Sequence, residues 1–385
     1  MKKYITSILK LPKSVKFFLI TQVLIGIGAG VWNVNFNFFL ASKGISMAQI
    51  GSISSVGSLA TAVFALVAGH LSDRLGFKKS MLIGCIIKAI AMLVLPLANN
   101  NTELYSVSIL NGVGDSFILV SQYPYITSLV DKKHKNTVYN LFFSTVMFSI
   151  FIGNIVASAL NAYGRSIALG GLSVALAAIC RSVLPDLKVE KKQRPKLYIP
   201  KDKLSRNYLL MEFFGYAGYF MANSMVNIIL RDHMGYSGKV VGMVIGTMTL
   251  SGAVAVITPM LSDRFGVIKT NGVFMAILPF IYCGMAMLTR ENYIFLAVTS
   301  TFLNCLSAAV LGGPVLHKIP DNKQGGFSGL MLLITNMGTS AGVFAAGRLV
   351  GGASGQSMLY FAVAALFVVV AGIFMFGLKK ELKEG

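Results

Sequence analysis

The chain contains two near-identical hexapeptides that stand 190 residues apart. Leu71–Gly76 reads LSDRLG and Leu261–Gly266 reads LSDRFG, and each lies where a long apolar run gives way to basic residues. The same spacing pairs residues elsewhere along the chain: Gln22 with Glu212, Asn33 with Asn223, Asn37 with Asn227, Pro124 with Pro314, and Asp131 with Asp321. Agreement at several separate places predicts an internal duplication, so the chain is expected to fold as two copies of one unit.

The composition places both copies in a membrane. Mean hydropathy is +0.70, with 55% hydrophobic and only 12% charged residues, which excludes an ordinary soluble domain. Twelve apolar runs approach the roughly 20 residues that a helix needs to cross a bilayer, and they lack the alternation of membrane strands. They lie near 17–40, 47–70, 80–98, 104–130, 137–162, 166–185, 207–230, 238–261, 270–288, 293–316, 326–350 and 356–378. We therefore predict an all-α membrane protein with twelve transmembrane helices in two pseudo-symmetric six-helix bundles.

The net charge of +20 reports orientation in the membrane. Most Lys and Arg residues fall in the two tails and the even-numbered loops, which is the pattern of segments on the cytoplasmic side. We expect a multi-pass protein of the cell membrane, bacterial in type, with both termini cytoplasmic. The same distribution argues against a nucleic-acid partner and leaves membrane lipids as the surroundings.

One long polar stretch divides the chain. Residues 186–206 are basic and contain Pro195 and Pro200, which discourage a continuous helix. We expect an N-terminal bundle over 1–185, a cytoplasmic linker over 186–206 and a C-terminal bundle over 207–385, in a protein that acts as a monomer. Binding of the linker to anionic lipid is the alternative reading of its charge.

The segment from Gly69 to Lys79, GHLSDRLGFKK, resembles the loop 2–3 signature of the major facilitator superfamily. That pattern is Gly, three residues, Asp-Arg, any residue, Gly, then basic residues, and a degenerate copy follows the eighth run; Phe77 and Pro259 depart from it. The resemblance covers the whole chain and implies a latch between the two halves in the outward-open state. The latch residues would be Gly69, Asp73, Arg74, Gly76, Lys78 and Lys79, with Asp263 and Arg264 in the repeat. Alternatively, Asp73 only caps a helix and Lys78 only follows the excess of basic residues on the cytoplasmic side.

Polar residues recur at helical spacing within several apolar runs and therefore share helix faces. Facing lipid would be costly for them, so the faces should point inward. The resemblance implies that spans 1, 4, 7 and 10 line a central cavity with span 5 beside it. The candidate lining residues are Gln22, Trp32, Asn33, Asn37, Asn111, Gln122, Tyr123, Asn154, Tyr216, Asn223 and Asn227. Hydrogen bonds between helices within each bundle are the alternative explanation.

Two acidic residues lie within the apolar runs. Asp115 is near the middle of span 4, where an ionisable group costs roughly 2.5–3.5 kcal/mol and is a functional candidate by default. Glu212 lies toward the cytoplasmic end of span 7, which suits a cavity floor. Either could carry a proton or contact the substrate. The alternatives are that Asp115 stays neutral or pairs locally, and that Glu212 simply reaches the cytoplasmic interface. Lys88 lies equally deep in span 3 without an identifiable partner, and Arg181 is expected to extend toward the interface.

These features predict a secondary active transporter of a small molecule that works by alternating access. No phosphate-binding loop, metal-ligand pattern or nucleophile triad is evident, so we expect no enzyme, no metal and no cofactor beyond a proton gradient. The loop 2–3 motif favours a proton-coupled exporter of hydrophobic or cationic compounds. Exporter signatures are missing around Ser108 and Gly153, however, which keeps proton-coupled uptake of a small polar nutrient as the alternative. A transporter-like sensor that moves no solute is a third hypothesis.

Overall fold

The computed structural model describes residues 11–131, 134–160, 162–186, 199–253, 264–287, 290–317, 319, 321–351 and 355–379. Within these ranges the chain is almost entirely helical. Twelve long helices follow one another there: α1 Lys13–Ser42, α2 Met47–Leu75, α3 Phe77–Val94, α4 Asn101–Ser128, α5 Lys135–Ala159, α6 Tyr163–Ser182, α7 Lys203–Asn223, α8 Gly238–Ala253, α9 Val267–Met287, α10 Arg290–His317, α11 Asp321–Val350 and α12 Gly355–Gly372. Each corresponds to one predicted apolar run.

Short irregular helical turns extend three of these helices. A 3-10 turn, Leu95–Leu97, follows α3, and a π-helical turn, Ile373–Leu378, follows α12. After α7 the chain forms one α-turn, Val226–Ile228, and a π-turn, Ile229–His233. Ten helices in the described residues are long and apolar enough to cross a membrane. The predicted fold class, an all-α membrane protein, is confirmed.

Helix ends follow local chemistry. Asn100 caps α4 by accepting a hydrogen bond from the Glu103 backbone N–H at 2.9 Å, and Asp202 caps α7 by accepting one from Ser205 N–H at 2.8 Å. Gly76 has a φ of 90° between α2 and α3, a conformation that a side chain would strain. Its repeat equivalent Gly266 has a φ of 82°, so the duplication extends to the backbone of the turn.

The chain forms two compact units. The first comprises Met1–Phe36 and Val63–Lys192, and the second comprises Asn37–Ala62 and Gln193–Gly385. Most of the predicted linker, residues 187–198, lies outside the described residues, so the predicted boundary at 186–206 stays a prediction.

Glycines let helices approach closely within each unit. In the first unit a Cβ on Gly114 of α4 would stand 2.7 Å from the backbone nitrogen of Lys88 in α3. In the second unit Gly338 and Gly342 of α11 lie against the backbone carbonyls of Phe213 and Ala217 of α7, where any Cβ would overlap them. Small residues at helix crossings are the usual means by which membrane helices pack, because lipid supplies little hydrophobic driving force.

Candidate functional site

A buried ion pair lies in the middle of the first unit. Lys88 Nζ of α3 is 2.6 Å from Asp115 Oδ1 of α4 and also donates to Asn111 Oδ1 at 3.3 Å. Asn111 Nδ2 in turn donates to Asp115 Oδ2 at 3.2 Å. Lys88 is 3% exposed and the Asp115 side chain 34%. The three side chains therefore form a closed cluster in which both carboxylate oxygens are bonded.

This cluster supplies the partner of Lys88 that the sequence left unnamed. Asp115 pairs locally, which is the alternative that the sequence analysis kept open for it. Asn111, a candidate lining residue, bridges the two charges. This pairing could have been predicted from the sequence. Lys88 and Asp115 lie at similar depth on consecutive antiparallel helices, and a buried charge requires a partner.

A second charged group is buried in the last turn of α6 in the first unit. The Arg181 side chain is 0% exposed, so the expectation that it extends to the interface is wrong. Its Nε donates to Thr21 Oγ1 at 3.1 Å and its Nη2 donates to Gln22 Oε1 at 2.5 Å. The guanidinium also lies 4.4 Å from the Phe18 ring centroid. Gln22 thus accepts a charge-assisted hydrogen bond within its own unit.

The second unit contains a cavity of about 130 Å³ within its helices. The lining comes from α7, α9, α10 and α12 and is mainly apolar and aromatic, with a few amide, hydroxyl and thiol groups. Glu212 is the one carboxylate in this lining and is 8% exposed. The lining residues are Met211, Glu212, Gly215, Tyr216, Tyr219, Met275, Asn304, Cys305, Ser307, Ala308, Phe367 and Val370.

Glu212 has a phenol beside it and, in the part of the chain that the structure describes, no cation. The Tyr208 side chain, one turn earlier on α7, is placed to hydrogen-bond with the Glu212 carboxyl. Among the described residues, no Lys, Arg or His lies within ion-pair distance of Glu212. Burial raises the free energy of an ionised carboxyl. Lys88 offsets this cost for Asp115, whereas Glu212 has no such partner among the described residues.

Hydrogen bonds hold the polar groups around this cavity in place. Asn304 Nδ2 donates to Tyr282 Oη at 2.9 Å and to Ser300 O at 2.8 Å. Ser307 Oγ donates to Asn271 Oδ1 at 2.6 Å. The cavity therefore offers a pre-oriented set of polar groups among aromatic walls, which is the general character of a small-molecule site.

The structure brings together two further candidate lining residues. Asn37 Nδ2 donates to Asn227 Oδ1 at 3.2 Å, and both side chains are buried. Asn223 Nδ2 instead donates to its own helix at Tyr219 O, 2.7 Å away, while its Oδ1 accepts from Thr301 Oγ1 at 3.4 Å.

The remaining candidates are dispersed. Trp32 stacks on Phe36 of the same helix with ring centroids 4.3 Å apart. Asn33 and Tyr123 are exposed, whereas Gln122 and Asn154 are buried. Tyr216 lines the cavity of the second unit. Participation of these residues in one transport pathway stays a prediction.

The loop 2–3 motif forms the α2–α3 turn of the first unit. Asp73, Arg74 and Lys79 are exposed, and Lys78 Nζ lies 3.6 Å from Asp186 Oδ2 in the same unit. A Cβ on Gly69 would stand 3.7 Å from Val120 Cγ1, which is an ordinary van der Waals distance. In the repeat, Asp263 lies outside the described residues, and the Arg264 guanidinium is 5.3 Å from the Phe265 ring. The latch role of both motifs stays a prediction.

Fold and motifs together define a multi-pass helical membrane protein of the transporter class. The sequence of residues 18–316 matches the model of the Major Facilitator Superfamily, which covers more than half of the chain. The chain therefore belongs to the Major Facilitator Superfamily. Membership indicates a transporter rather than an enzyme.

Solved structures share this fold at low sequence identity. A point mutant of the nucleoside transporter NupG is 15% identical with a TM-score of 0.81, covering 94% of this chain and 99% of that one. A bacterial homologue of the human lysosomal transporter Spinster, solved inward-facing and unoccupied, is 13% identical with a TM-score of 0.79, covering 96% and 97%. No curated protein matches at the level of sequence. These similarities establish the fold alone.

Proposed function

We propose that the protein is a proton-coupled secondary transporter that takes up a small, neutral, polar solute by alternating access. Glu212 carries the coupling proton in this scheme. The proposal selects the nutrient-uptake alternative of the sequence analysis over export of cationic compounds.

The observation that carries the proposal is the environment of Glu212. A buried carboxylate without a cation is expensive, whereas the protonated, neutral carboxyl is tolerated among aromatic and aliphatic side chains. Any state of the transporter that exposes Glu212 to water therefore favours the ionised form, and the state that buries it favours the protonated form. Proton binding then shifts the balance between the two states, which is the thermodynamic requirement for coupling.

The charges of the first unit support a neutral solute. Attraction of a cationic compound would require a free carboxylate, and Asp115, the deepest acid of that unit, is neutralised by Lys88. Tyr216, Tyr219 and Asn304 offer aromatic faces and an amide instead. A nucleoside combines a flat ring with hydroxyl groups, and NupG is named a nucleoside transporter. Nucleosides are therefore the first solutes to test.

Export of cations is the competing function, and one observation favours it: an uncompensated Glu212 could serve as the counter-ion of a cationic compound. Asp115 likewise stays a candidate for proton coupling, since protonation would release it from Lys88. Both alternatives give distinct results in the experiment below.

The experiment uses purified protein in proteoliposomes with an imposed inward proton gradient. Radiolabelled uridine and a set of neutral polar metabolites serve as inward probes, and ethidium serves as the cationic export probe. We expect gradient-driven accumulation of a neutral probe by the parent protein. Glu212→Gln should reduce accumulation about tenfold or more, within the range of ordinary coupling energies, while solute counterflow without a gradient persists.

Glu103→Gln is the matched control, because Glu103 is an exposed acid at the start of α4 and should leave accumulation unchanged. Accumulation that survives Glu212→Gln but is lost in Asp115→Asn would move the proton site to the first unit. Gradient-driven ethidium export without uptake of any neutral probe would instead establish the exporter, and absence of all flux would favour the sensor.

A further inference from the structure

One segment of the first two helices packs with the C-terminal helices. Residues 37–62, here called the outer hairpin, comprise the end of α1, the connecting turn and the first half of α2, and they belong to the second compact unit. If the N-terminus is cytoplasmic, as the charge distribution predicts, this hairpin lies at the outer side of the membrane. Two kinds of contact join it to α11 and to the turns that follow α7.

The first contact is a directed amide pair. Asn37 Nδ2 donates to Ser224 O at 2.7 Å and to Asn227 Oδ1 at 3.2 Å. Asn227 Oδ1 also accepts from the Ile228 backbone N–H at 3.0 Å. Because a backbone carbonyl can only accept and a backbone N–H can only donate, these neighbours fix which end of each amide faces which partner. Asn37 acts as the donor and Asn227 as the acceptor.

The two residues of the pair occupy the same position in the two repeats. Each is therefore bonded to its own repeat equivalent. Beside the pair, the adjacent side chains add one more contact: the Arg231 guanidinium lies 4.0 Å from the Phe38 ring centroid.

The second contact is a crossing of small residues. A Cβ on Gly51 of α2 would stand 2.8 Å from the Gly347 Cα of α11. Deeper along the same two helices, Ser340 Oγ donates to Ser55 O at 2.9 Å. Polar bonds and glycine contacts of this kind are individually weak in membranes, so the surfaces can separate and rejoin.

We propose that Asn37 and Asn227 are positioning residues that hold the outer hairpin against the end of α7 in one state of the transport cycle and release it in the other. The contact closes the outer side of the solute pathway. This inference rests on the alternating-access transport proposed above and adds the residues that control access from outside.

The test measures access directly and needs no transported solute. Asn33, exposed and one turn before Asn37 on α1, is changed to Cys as a reporter in the full-length protein in intact cells. A membrane-impermeant maleimide added outside reports access, and a permeant maleimide reports the total reactive reporter. The parent chain without the reporter corrects for the four native cysteines.

The same chemical change at the two positions should have unequal consequences. Asn37→Asp removes the donor and sets a carboxylate against the Ser224 carbonyl, so impermeant labelling should rise about fivefold, as expected for loss of one ordinary hydrogen bond. Asn227→Asp keeps the Oδ1 acceptor for Asn37 and for the Ile228 N–H, so labelling should rise clearly less than in Asn37→Asp. Asn37→Ala, which adds no charge, should also raise labelling and serves if Asn37→Asp is not produced.

Asn35→Ala is the matched control, because Asn35 lies on the same helix but bonds Ser166 and Ala157 within the first unit. It should leave impermeant labelling unchanged. Unchanged labelling in both Asn37 variants at normal protein level would overturn the proposal, as would equal increases in Asn37→Asp and Asn227→Asp. Since labelling is independent of proton or solute flux, these results stand apart from the outcome for Glu212.

Discussion

The buried charged side chains of the two units have different surroundings. In the first, Lys88 pairs with Asp115, and Arg181 bonds to Gln22. In the second, the repeat equivalents of Lys88, Asp115 and Arg181 are Leu278, Cys305 and Ala371, while Gln22 is replaced by Glu212. Duplication supplied one scaffold twice. In the first copy the buried charges bond to side chains, although Arg181 Nη1 has no hydrogen-bond partner, and in the described part of the second copy Glu212 has no cation beside it. Bonds to fixed partners support structure, and a carboxyl without a cation is available for coupling.

The largest expected effect on stability comes from Gln22→Leu. The change leaves the fully buried Arg181 guanidinium without its closest acceptor, at a cost of about 3 kcal/mol. We expect a clearly lowered midpoint of thermal unfolding in detergent. Gln22→Glu restores an acceptor and should unfold at or above the parental temperature. Equal stability of both variants would show that Arg181 does not depend on Gln22.

A smaller loss is expected from Lys88→Met. Removing one member of a buried ion pair costs about 3–5 kcal/mol, and partial exposure of Asp115 reduces this to roughly 2 kcal/mol through solvent screening. The double variant Lys88→Met with Asp115→Asn leaves no unpaired charge and should recover most of the stability. Thermal unfolding of the four proteins forms a double-mutant cycle, and strict additivity would contradict the pairing.

The smallest effect on stability is expected from Glu212→Gln, although this change should reduce proton-driven accumulation about tenfold or more. No cation in the described ranges loses a partner, so the free energy of unfolding should change by less than about 1 kcal/mol in either direction. Destabilisation as large as that of Lys88→Met would contradict the proposed difference, because it would show that Glu212 also has a partner on which stability depends. Thermal unfolding in detergent, beside the flux measurement, separates these outcomes.

The sequence predicted the fold well because membrane helices are specified locally. Length and continuity of apolar runs are sufficient to place α1 to α12, and the duplicated motif placed Gly76 and Gly266 in equivalent turns. The family followed from the same motif. These features depend on neighbours in sequence, which a single chain contains in full.

The candidate site was only partly predictable because it depends on which helices touch. Glu212 was identified from its depth, yet the cavity around it needs α9, α10 and α12, whose contributions such as Asn304 and Phe367 carry no distinctive pattern. Arg181 was misjudged because a position near a span end suggests the interface, whereas Thr21 and Gln22 draw the guanidinium inward. Asp115 was found, but its partner depends on the packing of α3 against α4.

The glycine contacts of α11 have a mechanical consequence for α7. Because Gly338 and Gly342 contact the α7 backbone at Phe213 and Ala217, we expect this part of α7 to move together with α11. Glu212 and Asn223 are separated by about 16 Å along α7, at ~1.5 Å per residue, and Ser224 follows immediately. A tilt of α7 that starts at the Glu212 carboxyl is therefore expected to shift the Ser224 carbonyl, which accepts a hydrogen bond from Asn37.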